Sequence, residues 1–250
     1  MLPAPLFKFK RGDHCCVFYE DETALLDLLV PFFLEGLKKG ERCFCAESDS
    51  VARRLTSGLR LRGVDVEHEI ARGALDIRTL DEFYGAGRAN FDPVALIDSL
   101  KEFIEVSVAR GFTGSRMAGE MEFVVQHGVE LDQLLEYERL VNEAYPSRPV
   151  LGICSYNTRA FSPDMLERVL DVHRTCIANT HDGSDHSSLA IRKGRYILDI
   201  VADRFNPLGQ FYYVAQEHGK RDILGWGAER NFDDAVLEGE SLLNSLHAAE

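Results

Sequence analysis

The stretch from His14 to Glu47, HCCVFYEDETALLDLLVPFFLEGLKKGERCFCAE, limits what the chain can fold into more than any other. It predicts a strand, a buried helix and a second strand. Cys15 to Tyr19 and Arg42 to Ala46 are short, nearly continuous apolar runs, and Ala24 to Leu37 is apolar almost all round. A helix without a polar face must be covered on every side, and two apolar strands joined through such a helix have the form of a parallel βαβ unit. Gly40 closes the helix. Pro31 predicts a kink or a tight join within it, because an internal proline removes a backbone hydrogen bond at a cost of roughly 3 kcal/mol.

The same unit restricts function. In nucleotide-binding α/β domains, the first strand feeds a Gly-rich turn whose amides hold phosphate at a helix N-terminus. Here that turn is Glu20-Asp21-Glu22, and no G-x-x-x-x-G-K-[ST] occurs anywhere in the chain. Three carboxylates satisfy the positive end of the helix and repel phosphate. Conventional P-loop NTPase activity is therefore not expected.

Strand and helix patterns continue to alternate. Helices are expected from Ser50, as cap, to Leu61, from Asp92-Pro93 to Ala109, over Leu131 to Tyr145, and from Ser162-Pro163 to about His173. Strands are expected over Val64 to Glu69, Ala74 to Ile77, within Thr113 to Val125, and over Pro149 to Tyr156. Asp81 to Phe91 has no period and reads as an irregular flap. Such alternation predicts an α/β fold with a mostly parallel sheet covered on both faces. From Ala178 the texture changes. Asn179 to Ser188 reads as a polar connector, Ile191 to Val201, Phe211 to Gln216 and Ile223 to Trp226 as strands, and Phe232 to Leu246 as a closing helix. The expected division is thus 1–178 as the main domain and 179–250 as a small β-rich extension ending in a helix.

Composition narrows the setting. With 250 residues, 45% apolar and 28% charged, the chain can build a core without staples. Six cysteines stand mostly inside apolar runs with no C-x-x-C pair, which favours reduced, buried thiols over disulfides or structural zinc. No signal peptide or membrane-spanning run is recognisable, so a cytoplasmic protein with no membrane partner is expected. A formal net charge of −13 argues against direct binding of nucleic acid, leaving a protein partner to carry any regulatory output. Oligomeric state stays open, a homo-oligomer included.

Ligands of parallel α/β sheets bind beyond the carboxyl ends of the strands. Those ends nominate Tyr19 and Glu20, Glu47, Glu120 and Glu122, and Tyr156 with Asn157. Glu120 stands in an apolar strand, where an ionised carboxylate needs a partner or a shifted pKa. It either pairs with Arg116, caps a neighbouring helix, or meets a ligand. His14 and Cys154 are capable metal ligands and with Glu120 would make a three-residue set. Their strand positions differ, however, and six residues of strand span roughly 20 Å. His14 and Cys154 also have plain structural readings, as a hydrogen-bonded core histidine and a small core residue. Asn179 to His186, with two His and two Asp, reads as a solvated loop, and Phe211, Tyr212, Tyr213 and Trp226 read as a small core. No G-x-S-x-G or Cys-His motif supports nucleophilic catalysis.

Several segments together resemble the MEDS family: His14 to Tyr19 with the acidic turn after it, Leu28 to Cys43, Arg116 to Phe123, Tyr137-Glu138, Cys154 to Tyr156 and Phe161 to Pro163. The likeness covers roughly residues 8 to 178. It implies a RecA/KaiC-type α/β domain that has lost its P-loop and serves as a sensory module in prokaryotic signalling, including dichloromethane-responsive regulators, with simple hydrocarbon derivatives as proposed ligands. Phe123 stands where Trp is common, and no DNA-binding or kinase segment of the kind many members carry is recognisable. The expectation is a non-catalytic cytoplasmic sensor without a cofactor, binding a small organic ligand through Tyr19, Glu120 and Tyr156, with His14 and Cys154 as further contributors. The alternatives are a metal-binding sensor or metal-dependent enzyme using His14, Glu120 and Cys154, or a degenerate ATPase fold kept for interaction.

Overall fold

The computed structural model describes residues 10–84, 91–173, 175–180, 188–202, 211–217, 223–230 and 232–249. Its opening unit is β1 (His14–Tyr19), α1 (Glu22–Lys38) and β2 (Arg42–Glu47). Asp21 caps α1. The helix runs through Pro31 as one element of 17 residues, so the proline does not divide it. Next come α2 (Asp49–Leu61), α3 (Val66–Ala71), β3 (Leu75–Thr79), α4 (Leu80–Tyr84) and α5 (Pro93–Ala109). They are followed by β4 (Ser115–Glu120), α6 (Glu122–Gln126), α7 (Leu131–Ala144), β5 (Val150–Asn157), α8 (Pro163–Val172) and β6 (Thr175–Thr180). The chain ends in β7 (Ser188–Lys193), β8 (Tyr196–Ala202), β9 (Phe211–Glu217), β10 (Ile223–Glu229) and α9 (Phe232–Ala248).

All these strands join one sheet in the order β10-β9-β8-β7-β6-β1-β5-β4-β2-β3. The six from β6 to β3 are parallel, as the strand and helix alternation predicts. From β6 outward the pairing turns antiparallel, so the β-rich tail continues the main sheet edge to edge. Successive residues of a strand point to opposite faces. Cys15, Val17, Cys43, Cys45, Ala118 and Ile153 share a core with α1 and α2 that extends to Ala235 and Leu243 of α9. Cys16, Phe44, Met117, Cys154 and Tyr156 pack on the other face against α5, α7 and α8.

Local departures from the sequence expectation have local causes. Val64 to Glu69 is not a strand: Asp65 accepts from the His68 amide at 3.0 Å and starts α3 instead. The spacing of Val66 and Ile70 suits a helix as well as alternation suits a strand, and the cap decides. Ser48, not Ser50, caps α2, while the Ser50 hydroxyl donates to Glu22 at 2.7 Å. The apolar run from Ile191 to Val201 is two strands, divided at Gly194, whose φ of 59° permits the turn. Asp81 to Tyr84 is helical, and the rest of the expected flap, residues 85–90, lies outside the described residues, as does most of the polar connector.

Arg116 has its own partner at the amino end of β4. Its guanidinium pairs with Glu41, donates to the Phe32 carbonyl at 2.9 Å, and sits over the Phe32 ring. Both charges are buried. Removing one member of such a pair strands the other in low dielectric. Arg116→Met is expected to lose about 3–5 kcal/mol in urea denaturation, and the double replacement with Glu41→Leu to recover most of it. Equal losses in the single and double variants would contradict this assignment.

Candidate functional site

The path of the chain makes two topological switch points at the carboxyl ends of the parallel strands. β1 leaves through α1 on one face while its neighbour β5 leaves through α8 on the other; β2 and β4 diverge in the same way through α2 and α7. Adjacent strands whose outgoing connections part to opposite faces leave room above their ends. Tyr19, Glu47 and Glu120 occupy that edge, and all three are buried. The Tyr19 hydroxyl donates to Glu120 Oε1, and the Ser48 amide donates to Glu120 Oε2 at 3.0 Å. Burial pushes the Glu120 carboxyl up, against the lowering effect of these two donors.

Glu47 differs. Its exposure is 0%, and neither carboxylate oxygen has a hydrogen-bond partner. Burial first, and then the neighbouring Glu120, drive its pKa well above the ordinary carboxylate range. The shift favours the protonated carboxyl, which can donate one hydrogen bond and accept others. Burial, followed by Glu120, likewise keeps Tyr19 a phenol.

A second polar cluster lies on the opposite face. His14 at the start of β1, Cys154 in β5 and Glu138 in α7 bring one ligand atom each to within 4.8 Å of one another. His14 Nε2 is 3.2 Å from Cys154 Sγ and 3.4 Å from Glu138 Oε2. Tyr156 donates to Glu138 Oε1. His173, just after α8, places its Nε2 3.1 Å from Glu138 Oε2 without the alignment of a hydrogen bond. Burial lowers the His14 pKa to about 4 despite Glu138, so this imidazole is neutral. Burial alone would raise Glu138, but His173, His14 and Tyr156 outweigh it and hold the carboxylate below its ordinary value.

Comparison with known proteins fits these features. The MEDS profile, described as the MEthanogen/methylotroph, DcmR Sensory domain, matches residues 13–174. The chain belongs to the MEDS family. Over 162 residues it is 27% identical to the transcriptional repressor DcmR of Methylorubrum extorquens (strain DSM 6343 / CIP 106787 / DM4), covering 64% of this chain and 58% of that protein. A KaiC-like protein, PH0186, from Pyrococcus horikoshii OT3 shares the fold with a TM-score of 0.52 at 16% identity, over 86% of this chain and 96% of that one. The MEDS segment is a sensory domain, and its scaffold is RecA/KaiC-like in fold. No helix among the described residues is long and apolar enough to cross a membrane.

Within the MEDS domain, the residues nominated from sequence divide between the two faces. Tyr19 and Glu120 meet through a hydrogen bond. Tyr156 does not join them, because strand alternation turns it to the other side, where it serves Glu138. His14 and Cys154 do converge, but their carboxylate is Glu138 and not Glu120. Arg116 does not pair with Glu120, having taken Glu41. Sequence reasoning missed the roles of Glu138 and His173. Glu138 had a readable signal: it interrupts the apolar stripe of Leu134, Leu135 and Val141 on α7, where a carboxylate needs a buried partner.

The pH dependence of Glu47 follows from its raised pKa. Between the unfolded value near 4.5 and the higher folded value, the unfolded chain releases this proton while the folded one keeps it. Stability from this group is thus present below the unfolded pKa and lost as pH rises toward the folded one. Glu47→Gln cannot ionise. It is expected to match the parent in stability near pH 4.5 and to exceed it progressively at neutral and alkaline pH, measured by denaturant titration across pH. A difference that did not change with pH would show that Glu47 ionises normally.

Proposed function

We propose that the chain is a non-catalytic cytoplasmic sensor that binds a small, polar hydrocarbon derivative of about one to four carbons at the crevice edge formed by Tyr19, Glu47 and Glu120. One observation carries this reading: Glu47 is fully buried with two partnerless carboxyl oxygens, and it and Glu120 each follow the last β2–β4 register pair, Ala46 with Gly119. A buried polar group left unpaired costs about 1–3 kcal/mol. A small molecule with one acceptor or donor would relieve that cost, and the shared Tyr19 and Glu120 pair would orient it. Asp21 holds the helix terminus that would otherwise attract phosphate, which supports an uncharged organic ligand over a nucleotide. The six free, buried thiols support a reducing compartment.

Output has a short path. The amide of Ser48 binds Glu120, and the hydroxyl of Ser48 caps α2, so a ligand that moves Glu120 also moves the start of that helix. Tyr19 pairs in register with Asn179 of β6, the strand that leads into the 179–250 extension. We assign that extension to signal output through a protein partner, in line with the repressor role in the name of DcmR. The acidic net charge argues against direct contact with DNA. Ligand binding changes the output only to the extent that two conformations bind it differently.

A thermal-shift screen of one- to four-carbon alcohols, aldehydes, amides and halides against the purified chain tests the proposal. A ligand at 100 times its Kd adds about 2.7 kcal/mol, several degrees for a chain of this size. At least one class is expected to raise Tm in the parent and to lose its effect in Tyr19→Phe and Glu47→Gln. A folded parent stabilised by none of the compounds would overturn the reading.

A further inference from the structure

The cluster on the opposite face brings together donor atoms of the kind that ligate metals. Asn142 Nδ2 donates to the Val172 carbonyl at 2.7 Å, which turns its Oδ1 toward His14. A carbonyl oxygen can only accept, so the contact of His14 Nδ1 with Asn142 Oδ1 at 3.1 Å places the imidazole proton on Nδ1. Nε2 then carries a lone pair, aimed at Cys154 and Glu138. His173 repeats the pattern: Nδ1 donates to the Val169 carbonyl at 2.8 Å, leaving Nε2 directed at Glu138 Oε2. Two imidazole Nε2 atoms therefore face one carboxylate oxygen at 3.4 and 3.1 Å, and the one on His14 carries a lone pair. Both Glu138 Oε2 and His173 Nε2 are buried without a hydrogen-bond partner. The His14 lone pair, the Glu138 carboxylate and the Cys154 sulfur thus converge on one point, a donor set that suits a cation.

We propose that His14 Nε2, Cys154 Sγ and Glu138 Oε2 form a binding site for a divalent transition-metal ion of the zinc class. The set of one nitrogen, one sulfur and one carboxylate oxygen suits borderline ions such as Zn²⁺ and Co²⁺ and is unsuited to Mg²⁺ or Ca²⁺. Metal-ligand bonds of about 2.0–2.3 Å in tetrahedral geometry put ligand atoms about 3.3–3.6 Å apart. The separations from His14 Nε2, 3.2 and 3.4 Å, are close to that spacing, and Cys154 Sγ and Glu138 Oε2 lie within 4.8 Å of each other. Asn142 supplies the outer hydrogen bond that fixes a metal-bound histidine in the correct tautomer. Without metal, the Cys154 thiol donates to His14 Nε2; on binding, the ion takes that position and the thiol proton leaves to solvent. His173 acts as a positioning residue for the carboxylate.

The ion would tie together β1, β5 and α7, next to the chain that runs from α8 into β6. The inference stands on the face opposite Tyr19 and Glu47 and does not depend on the organic-ligand reading. It changes the three-residue set expected from sequence by one member, Glu138 for Glu120.

Titration of the untagged, chelator-stripped full chain with Co²⁺ tests the site. The expected result is uptake of one equivalent, a thiolate-to-cobalt charge-transfer band displaced by Zn²⁺, and a Tm raised by Zn²⁺ and returned by chelator. Cys154→Ser is expected to lose the charge-transfer band, and Asn142→Ala to weaken binding roughly 10–100-fold. Glu138→Gln, with circular dichroism as the folding control, gives a second comparison if Cys154→Ser does not fold. A folded parent that takes up no stoichiometric Co²⁺ would overturn the proposal. A charge-transfer band that survives in Cys154→Ser, or unchanged affinity in Glu138→Gln, would overturn it as well.

Discussion

At the start of α1, Asp21 Oδ1 accepts from the amides of Thr23 at 2.7 Å and Ala24 at 3.0 Å. These are the donors that a nucleotide-binding α/β domain presents to phosphate. With a carboxylate already in that place, and Glu20 and Glu22 on either side, a phosphate meets repulsion where the scaffold normally attracts it. Glu22 is itself fixed, by the Ser50 hydroxyl and by Arg54. The RecA/KaiC-like sheet keeps its crossovers, its buried first helix and its crevice edge. At that edge stand acidic and phenolic side chains, Tyr19, Glu47 and Glu120, in place of a glycine-rich cationic loop.

The sheet also separates two polar clusters that a linear reading merges. Neighbouring residues on a strand face opposite ways, so Tyr19 and Glu120 share one side while Cys154 and Tyr156 share the other. Three buried carboxylates are thereby treated differently. Glu120 receives a phenol and an amide, Glu138 receives a phenol and faces two imidazoles, and Glu47 receives nothing. Core positions without compensation are costly to keep. In the second cluster the atoms without a hydrogen-bond partner, Glu138 Oε2 and His173 Nε2, lie 3.1 Å apart.

Much of the fold was legible before any coordinates. Apolar runs, glycine stops and the Asp92-Pro93 and Ser162-Pro163 starts located most elements, since these patterns reflect burial and capping directly. Val64 to Glu69 was misread because its apolar positions fit both strand and helix periods, and only the side chain of Asp65 breaks the tie. The site was legible as a set of residues but not as a grouping. His14, Cys154, Tyr19, Glu120 and Tyr156 could all be nominated, yet which of them meet depends on strand register and on α7, a helix far away in sequence. The pairing of Met117 with Gly152 and of His14 with Gly152 sets that register, and neither leaves a trace in composition or spacing.

The central claim is that the phosphate cradle of this scaffold has been replaced by acidic side chains and that the domain recognises a ligand without hydrolysing nucleotide. Calorimetric titration of the purified chain with ATP in the presence of Mg²⁺, followed by assay of the same sample for released phosphate, tests it most directly. The account predicts no saturable heat and no turnover above the protein-free control. Saturable, magnesium-dependent binding accompanied by phosphate release would contradict it.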